Sequence, residues 1–511
     1  MDRRDFLADA ARYAAFCAVV PNVWRVTGRP RLAADPFTLG VASGDPTPTG
    51  GVLWTRLAPR PLDPDGGMEG VRTVVNWEIA ADDSFTKILK QGRATAAPEL
   101  SYSIHVDVNG LEPDRWYFYR FSVADARSPV GHFRTTPAAS ATTPLSFAFV
   151  SCQHYEQGYY TAYEHLAREE LDLVSHLGDY IYEYGANKSA PRQHATPEVR
   201  TLDAYRTRYA QYKSDPALQA AHAKCPWLVI WDDHEVDNNY AGLHGENGME
   251  SEEQMHARRA AAYQAWWEHQ PVRVPSARSW ADLSITRRVE WGGLARFHML
   301  DGRQFRSDQA CGDGNQLVPC GDWADPSRTM LGTAQERWLS DGLAASRARW
   351  QVIANQVMVA PLDSDPGPNV RLGMDNWSGY PAARDRLLAA VAERAPNRTV
   401  VITGDIHSNF VNELRSGFSK PNRPTVAAEF VGTSISSGGD GSDQNFSADV
   451  LAENSHLKWH NRRRGYVSCR VTPDDWTAAY RTVAYVSKPG APVETPTKWR
   501  VERGRPGIQK L

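Results

Sequence analysis

The stretch Leu171–Tyr184 reads LDLVSHLGDYIYEY, and the interpretation of the whole chain starts from it. Its apolar residues form a short run that ends at Gly178-Asp179, and Tyr182 follows three residues later. Such a run, bounded by a turn, predicts a buried strand, and open α/β sheets place their sites at the carboxyl ends of strands. We therefore expect Asp179 and Tyr182 at a functional sheet edge, although an aspartate after a strand is also typical of an ordinary turn.

Three other short apolar runs end in residues that can bind metal ions, namely 147–152 (FAFVSC), 227–234 (WLVIWDDH) and 400–407 (VVITGDIH). Ionised carboxylates suit hard cations, whereas a thiolate together with a phenolate indicates Fe³⁺, which lowers the pKa of both groups. Four strand ends of this kind predict a metal cluster. Its candidate ligands are Cys152, Asp179, Tyr182, Asp232, Asp233, Asn238, Asn239, Asp375, Asp405 and His407.

Each candidate also has a structural interpretation. His234 can be a hydrogen-bonded core histidine, Tyr182 can be core packing, and Asp375 can be a turn residue. The combination carries more weight than any single member, because unrelated structural residues would not all fall at the carboxyl ends of strands.

Composition sets outer bounds on the class of protein. A chain of 511 residues predicts two domains, and 41% hydrophobic with 23% charged residues is ordinary for a globular protein. The formal net charge of −3 shows no excess of the basic residues that nucleic-acid binding typically requires. No run of eighteen apolar residues occurs, so no membrane span is predicted.

The first 34 residues resemble a twin-arginine export signal. Arg3-Arg4 precedes the small apolar stretch Ala14–Val20, and Ala33-Ala34 offers a cleavage site. We expect an exported protein, periplasmic or secreted, with the twin-arginine translocation machinery as a partner; an amphipathic N-terminal helix is the alternative. Of the six cysteines, Cys311 and Cys320 can close a small disulfide outside the cytoplasm. Cys225 and Cys469 can be buried thiols or a pair, which leaves Cys152 as a candidate metal ligand.

The pattern of the chain changes near residue 140. Residues 35–137 alternate apolar and polar side chains in strand-like runs, and Leu111–Phe121 resembles the tyrosine corner of fibronectin III sandwiches. After the linker Pro137–Pro144, residues 145–488 alternate strands with helices, which predicts an α/β domain with a parallel sheet. Residues 489–511 contain proline and mostly polar residues, and we expect them to form a surface tail.

In their order along the chain, these motifs resemble the PhoD-type alkaline phosphatases and phosphodiesterases, a divergent branch of the binuclear metallophosphoesterases. The resemblance runs from about residue 37 to 485. Its blocks are Ser151-Cys152-Gln153, Gly178–Tyr182, Asp232-Asp233-His234-Glu235 and Gly404–His407, together with 39–45 (LGVASGD), 300–306 (LDGRQFR) and 429–434 (EFVGTS).

The resemblance implies a four-layer α/β/β/α metallophosphoesterase fold preceded by a small fibronectin III or Ig-like β-sandwich. It implies one Fe³⁺ and calcium ions, two of them in our interpretation, rather than zinc. By position, the iron shell is Cys152, Asp179, Tyr182 and His407. The calcium shell is Asn239, Asp375, Asp405 and one of Asp232 and Asp233, of which the resemblance favours Asp233.

The predicted reaction is hydrolysis of phosphomonoesters, phosphodiesters or both by a metal-bound hydroxide. His234 is the predicted catalytic residue, which either donates a proton to the leaving oxygen or hydrogen-bonds the phosphoryl group. No nucleophilic serine motif and no phosphate-binding glycine loop occurs in the sequence. Two alternatives stay open: a phospholipase D-like phosphodiesterase, and a secreted binding protein whose metals are structural. His456, His460 and Arg462–Arg464 form a basic stretch that we expect to be a solvated face.

Overall fold

The computed structural model describes residues 34–246, 248–276, 279–418 and 423–511. The predicted export signal, with Cys17, therefore lies outside the described residues. Within the described part of the chain, every helix is too short or too polar to cross a membrane.

Seven α-helices occur among the described residues. They are α1 Thr161–Leu166, α2 Leu202–Lys213, α3 Pro216–Lys224, α4 Glu252–His269, α5 Gly332–Ala345, α6 Pro381–Arg394 and α7 Ala448–Glu453. Local sequence explains where several begin. The Asp215 carboxylate caps α3, with Pro216 in its first turn, and Ser251 forms a capping box with Gln254 at the start of α4.

The strands, in chain order, are β1 Val41–Thr47, β2 Gly50–Arg56, β3 Thr73–Ala80, β4 Ile88–Ala96, β5 Ser103–Val108, β6 Trp116–Val123, β7 Ala126–Arg127, β8 Gly131–Arg134, β9 Leu145–Val150, β10 Leu173–His176, β11 Trp227–Val229, β12 Arg287–Trp291, β13 Ala295–Met299, β14 Asn315–Val318, β15 Trp350–Ala354, β16 Val370–Gly373, β17 Thr399–Thr403, β18 Asn409–Arg415, β19 Thr425–Val431, β20 Gly441–Ser442, β21 Leu457–Arg463, β22 Gly465–Val471, β23 Asp475–Val483, β24 Val493–Glu502 and β25 Gln509–Lys510.

Two large mixed sheets pack face to face. One has ten strands in the order β25-β24-β23-β22-β9-β10-β11-β1-β2-β5, and the other has eight in the order β12-β13-β15-β17-β19-β18-β21-β20. Phe147 of β9 and Phe297 of β13 meet edge to face between them, with ring centroids 5.4 Å apart. Helices α5 and α6 cover the outer face of the eight-stranded sheet, and α1 to α4 lie on the other side. The predicted four-layer α/β/β/α fold is confirmed.

The N-terminal strands form a sandwich that shares a sheet with the rest of the protein. Strands β3, β4, β6, β7 and β8 form a five-stranded sheet, which packs on β1, β2 and β5 through one apolar core. Those three strands continue the ten-stranded sheet, because β1 pairs with β11 at Gly44 and Trp227. The predicted tyrosine corner is present, since the Glu112 amide donates to the Tyr117 hydroxyl at 3.0 Å. The boundaries 35–137 and 145–488 stay predictions.

The prediction of a surface tail after residue 489 is wrong for Val493–Glu502. This segment is strand β24, which pairs antiparallel with β23. Its inward positions Thr497, Trp499 and Val501 are buried, but the proline and charged residues between them hide the alternation. Pro496 is tolerated because it lies where the register of the pairing shifts.

Candidate metal centre

Most of the predicted ligands lie at or just beyond the carboxyl ends of strands from both large sheets, whereas Asp375 follows β16 of the small two-stranded sheet. Strands β9, β10 and β11 are parallel neighbours, and the residues after them are Cys152, Asp179 and Asp233. Strand β17 of the facing sheet ends just before Asp405 and His407. The Cys152 amide donates to the Gly178 carbonyl at 3.1 Å, which ties the first two strand ends together. The topology thus brings four separate sequence motifs to one place.

Two glycines make this close approach possible. A Cβ atom on Gly178 would lie 2.4 Å from the Cβ of Asp232, and one on Gly404 would lie 2.2 Å from the Ser151 hydroxyl oxygen. Gly178 also has a φ of +112°, which side chains rarely adopt. These contacts explain why glycine precedes aspartate in both motifs.

The first group of converging side chains contains the predicted iron ligands. The ligand atoms of Cys152, Asp179 and His407 all lie within 4.8 Å of one another. The Tyr182 hydroxyl donates to Asp179 Oδ2 at 2.9 Å and lies 3.2 Å from His407 Nε2. The structure therefore brings together a thiol, a phenol, a carboxyl and an imidazole from four positions named in the sequence.

Burial makes this group costly to ionise without a cation. It raises the pKa of Cys152, Asp179 and Tyr182 well above their ordinary values, and neighbouring carboxylates raise them further. Burial also lowers the pKa of His407 to about 3, so its imidazole is neutral, the form that binds metals. Sulfur, phenolic and carboxylate donors that need a nearby positive charge fit a highly charged ion such as Fe³⁺.

Strained backbone is concentrated at the same residues. Cys152, Asp179, Asn239, Asp405 and His407 have φ angles of 58°, 55°, 52°, 66° and 51°, in the left-handed region that glycine favours. Aspartate and asparagine tolerate this region, but cysteine and histidine adopt it at a cost. Strain of this kind persists where the surrounding structure fixes the residue, which is common at functional sites.

The second group is acidic and surrounds one arginine. The ligand atoms of Asp232, Asp233 and Asp405 lie within 4.8 Å of one another. The guanidinium of Arg303 is fully buried, bonds to Asp232, and lies 3.2 Å from Asp233 and 3.3 Å from Asp405. The motif 300–306 was part of the family resemblance, but the sequence assigned Arg303 no role. The contacts of Arg303 with these aspartates form only when the strand ends come together in the fold.

Asp375 is connected to this group by hydrogen bonds from two arginines, Arg303 and Arg306. Arg303 Nη1 donates to both of its carboxylate oxygens at 2.8 Å, and Arg306 donates to Oδ1 at 2.7 Å. Gln309 also donates to Oδ1, so this oxygen accepts three hydrogen bonds. The bond from Arg303 to Oδ2 leaves a lone pair on that oxygen for another partner. These bonds and the charges of the two arginines lower the pKa of Asp375 well below its ordinary value, against the effect of burial.

The structure separates the two neighbouring asparagines. The amide of Asn238 donates to Glu183, and its side chain donates to Glu246. The backbone of Asn239 instead lies in the acidic group, with its amide donating to Asp233 Oδ2 at 2.7 Å. Of the pair, Asn239 is therefore the residue placed beside the carboxylates.

Asp233 links the two groups. Its ligand atoms converge with those of Asp179 and His234 as well as with those of Asp232 and Asp405. Among the described residues its Oδ1 accepts no hydrogen bond, and Arg303 Nη2 lies 3.2 Å from it. Asp232 is committed to Arg303, and burial raises the pKa of Asp232 to about 7.

His234 contacts a buried carboxylate that is not its neighbour in the sequence. Its Nδ1 lies 2.8 Å from the Glu183 carboxylate. Burial opposes protonation, yet the charges of Glu183, Asp179 and Asp233 outweigh it and raise the pKa of His234. Glu183 is a functional candidate that the sequence missed; its position directly after Tyr182 was the available signal.

Glu235 is a second missed residue. Its carboxylate accepts from the backbone amides of Asp179, Tyr180 and Asp232, at 2.9, 2.7 and 2.8 Å. It therefore fixes two strand ends against each other without facing a ligand position.

The prediction of a solvated basic face is wrong for His456, His460 and Arg464, which are buried. Arg464 Nη1 donates to the Ser434 hydroxyl and to the Ser437 carbonyl, both at 2.6 Å. Ser437 in turn contacts the Tyr182 hydroxyl at 2.8 Å. Arg464 thus supports the loop behind the first group.

A further group, His154, Glu156 and His194, lies outside the predicted ligands. His194 Nδ1 bonds to the Tyr184 carbonyl, its Nε2 contacts the Tyr212 hydroxyl, and Glu156 accepts two backbone amides. Because protein groups already satisfy its polar atoms, it has the character of a structural network.

Comparisons with known proteins agree with this geometry. Residues 147–480 match the family described as PhoD-like phosphatase, and residues 23–137 match its N-terminal domain. The chain is 45% identical to Alkaline phosphatase D of Bacillus subtilis (strain 168), over all of this chain and 89% of that protein. A solved structure of PhoD superposes with a TM-score of 0.91 at 47% identity, covering 94% of this chain and 93% of that one. Purple acid phosphatase PPD1 from yellow lupin seeds (Lupinus luteus) has a TM-score of 0.55 at 12% identity, covering 91% and 74%, and shares the fold.

Proposed function

The chain belongs to the PhoD-like phosphatase family and is a metal-dependent phosphoesterase, and from that premise we propose that its centre holds one Fe³⁺ and two Ca²⁺ ions. The observation that carries the proposal is the convergence of a thiol, a phenol, a carboxyl and an imidazole beside an acidic group. Zinc sites rarely combine these donors, whereas Fe³⁺ stabilises thiolate and phenolate anions and calcium prefers oxygen ligands.

In this proposal, the iron shell is Cys152, Asp179, Tyr182 and His407. The calcium shell is Asp233, Asn239, Asp375 and Asp405. Asp233 is preferred over Asp232 because its ligand atoms converge with those of Asp179 as well as with those of Asp405, whereas Asp232 is bonded directly to Arg303. Asp375 contributes through Oδ2, since its other oxygen accepts from three protein donors.

When bound, such ions would supply positive charge for the phosphoryl oxygens and make water a stronger nucleophile near neutral pH. The protein's own residues do the rest. Glu183 orients His234 through Nδ1, which leaves Nε2 to donate a proton to the departing alcohol. Arg303 holds four carboxylates in place, so the acidic group is formed before substrate binds.

The proposal includes export of the protein, which would then act on phosphate esters outside the cytoplasm. It is supported by Arg3-Arg4 followed by a small apolar stretch, which is typical of the twin-arginine route. The disulfide between Cys311 and Cys320 also favours an oxidising compartment.

Chelation tests this function. We expect EGTA to abolish hydrolysis of p-nitrophenyl phosphate and its bis ester, because removing calcium leaves phosphoryl oxygens without countercharge, and we expect added Ca²⁺ to restore the rates. Initial rates and iron content are measured before and after treatment, with a mock-dialysed sample as control. Undiminished activity after long incubation in EGTA would exclude calcium from the working site.

A further inference from the structure

The loop closed by the Cys311–Cys320 disulfide lies against the proposed calcium shell. The sequence offered the disulfide only as a device outside the cytoplasm and gave the enclosed residues no function. In the structure, Cys311 packs on the buried side chains of Ala310, Leu372 and Met374. Met374 directly precedes Asp375 in the chain. The disulfide therefore closes a loop whose position relative to Asp375 is fixed by this packing.

Backbone pairing ties the same loop to Asp375. Strand β14 pairs antiparallel with β16, from Asn315 opposite Gly373 to Val318 opposite Val370. The pairing extends towards the site, since the Met374 amide donates to the Gly314 carbonyl at 2.8 Å. A shift of the loop would consequently move the segment that carries Asp375.

Asp313, inside the loop, makes a direct contact with Asn239. Asn239 Nδ2 lies 2.7 Å from Asp313 Oδ2, and a carboxylate can only accept in such a bond. The amide nitrogen must therefore face Asp313, which turns Asn239 Oδ1 away from it. The contact decides which amide atom is offered as a ligand, and only the oxygen can bind calcium.

The backbone conformation of Asp313 and the burial of one of its carboxylate oxygens both cost free energy. Its backbone, with φ 67° and ψ −170°, lies in a region that is almost restricted to glycine, and its Oδ1 is buried without a hydrogen-bond partner among the described residues. Gln316 donates to the Asp313 carbonyl at 2.6 Å, which fixes the turn. A strained, partly unsatisfied carboxylate is maintained here because the disulfide-closed loop leaves it little freedom.

We propose that the Cys311–Cys320 loop is a working part of the metal centre, in which Asp313 is a positioning residue that orients Asn239 and the disulfide holds Asp313 in place. This inference rests on the calcium shell of the proposed function. Partners that orient a metal ligand typically change metal affinity 10–100-fold when removed, so the loop is expected to set the affinity for calcium without touching the iron ligands.

The test is calorimetric titration of Ca²⁺ into iron-containing protein from which calcium has been removed with EGTA. We expect Asp313→Ala to weaken calcium binding by ~10–100-fold. Asp313→Asn should retain most of the affinity, because its side-chain oxygen can still accept from Asn239. The double variant Cys311→Ser with Cys320→Ser should shift affinity in the same direction as Asp313→Ala. Asp325→Asn is the matched control, since Asp325 is an exposed turn aspartate whose side-chain hydrogen bonds, among the residues that the structure describes, stay within its own turn.

Iron content and the visible spectrum should be unchanged in all these variants. Wild-type affinity in both Asp313→Ala and the double serine variant would overturn the inference while leaving the calcium proposal intact. Equal losses in Asp313→Asn and Asp313→Ala would overturn the positioning role, because they would make the charge of Asp313 essential. A wild-type protein that binds no calcium would overturn the calcium proposal and this inference with it.

Discussion

Replacement of His234 by asparagine is expected to lower kcat by ~10²–10⁴-fold, the usual contribution of a general acid. The loss should be larger for alkyl phosphates than for p-nitrophenyl phosphate, because p-nitrophenolate leaves readily without a proton. Metal content should match the wild type, since His234 Nδ1 is engaged by Glu183 rather than by the ligand groups. Kinetics on both kinds of ester, with elemental analysis of each sample, measure the two effects.

Glu183→Gln is the comparison variant for this prediction. It keeps the size of the side chain but removes the charge that favours a protonated His234, so its loss in kcat should be smaller but show the same dependence on the leaving group. An His234→Asn protein that loses metal would make His234 a ligand. Full activity of that variant on alkyl phosphates would leave the histidine a structural role only.

Removal of Arg303 should produce the largest change in stability. Arg303→Gln leaves two buried carboxylates, Asp232 and Asp233, and two half-buried ones without their shared cation, and breaking a buried ion pair on one side typically costs ~3–5 kcal/mol. We expect the free energy of unfolding in EGTA to fall by about that amount, as measured by urea denaturation. Added Ca²⁺ should restore part of the loss, because the ions supply positive charge to the same oxygens.

Arg386→Gln is the matched control, because Arg386 pairs with Glu336 at the surface, where its side chain is 41% exposed. Exposed pairs contribute ~0–1 kcal/mol, so this variant should unfold close to the wild type with or without calcium. An Arg303→Gln protein that is as stable as the wild type in EGTA would show that the carboxylates do not depend on the guanidinium.

The strand-end residues could be predicted from the sequence because their signal is local. A short apolar run followed by a glycine-aspartate turn fixes both the strand and the edge at which its last residue lies. The starts of helices α2 and α4 likewise follow from local sequence, because Thr201 and Ser251 cap them directly before their first residues. The family resemblance then supplied the four-layer arrangement.

What the sequence did not reveal depends on contacts between distant residues. Arg303 meets Asp232 across 71 positions, and Glu183 meets His234 across 51. Neither arginine nor glutamate is unusual where it stands in the sequence. Strand β24 was missed because its pairing with β23 outweighs a composition that is typical of loops. The role of Asp313 likewise exists only after β14 pairs with β16.

The central claim is that Cys152, Asp179, Tyr182 and His407 bind iron beside a calcium shell, and elemental analysis of the purified protein tests it most directly. The account predicts one iron and two calcium ions per chain, a visible tyrosinate-to-iron absorption band, and loss or shift of that band in Tyr182→Phe with the fold intact. A colourless, active protein without iron, or one that contains only zinc, would contradict it.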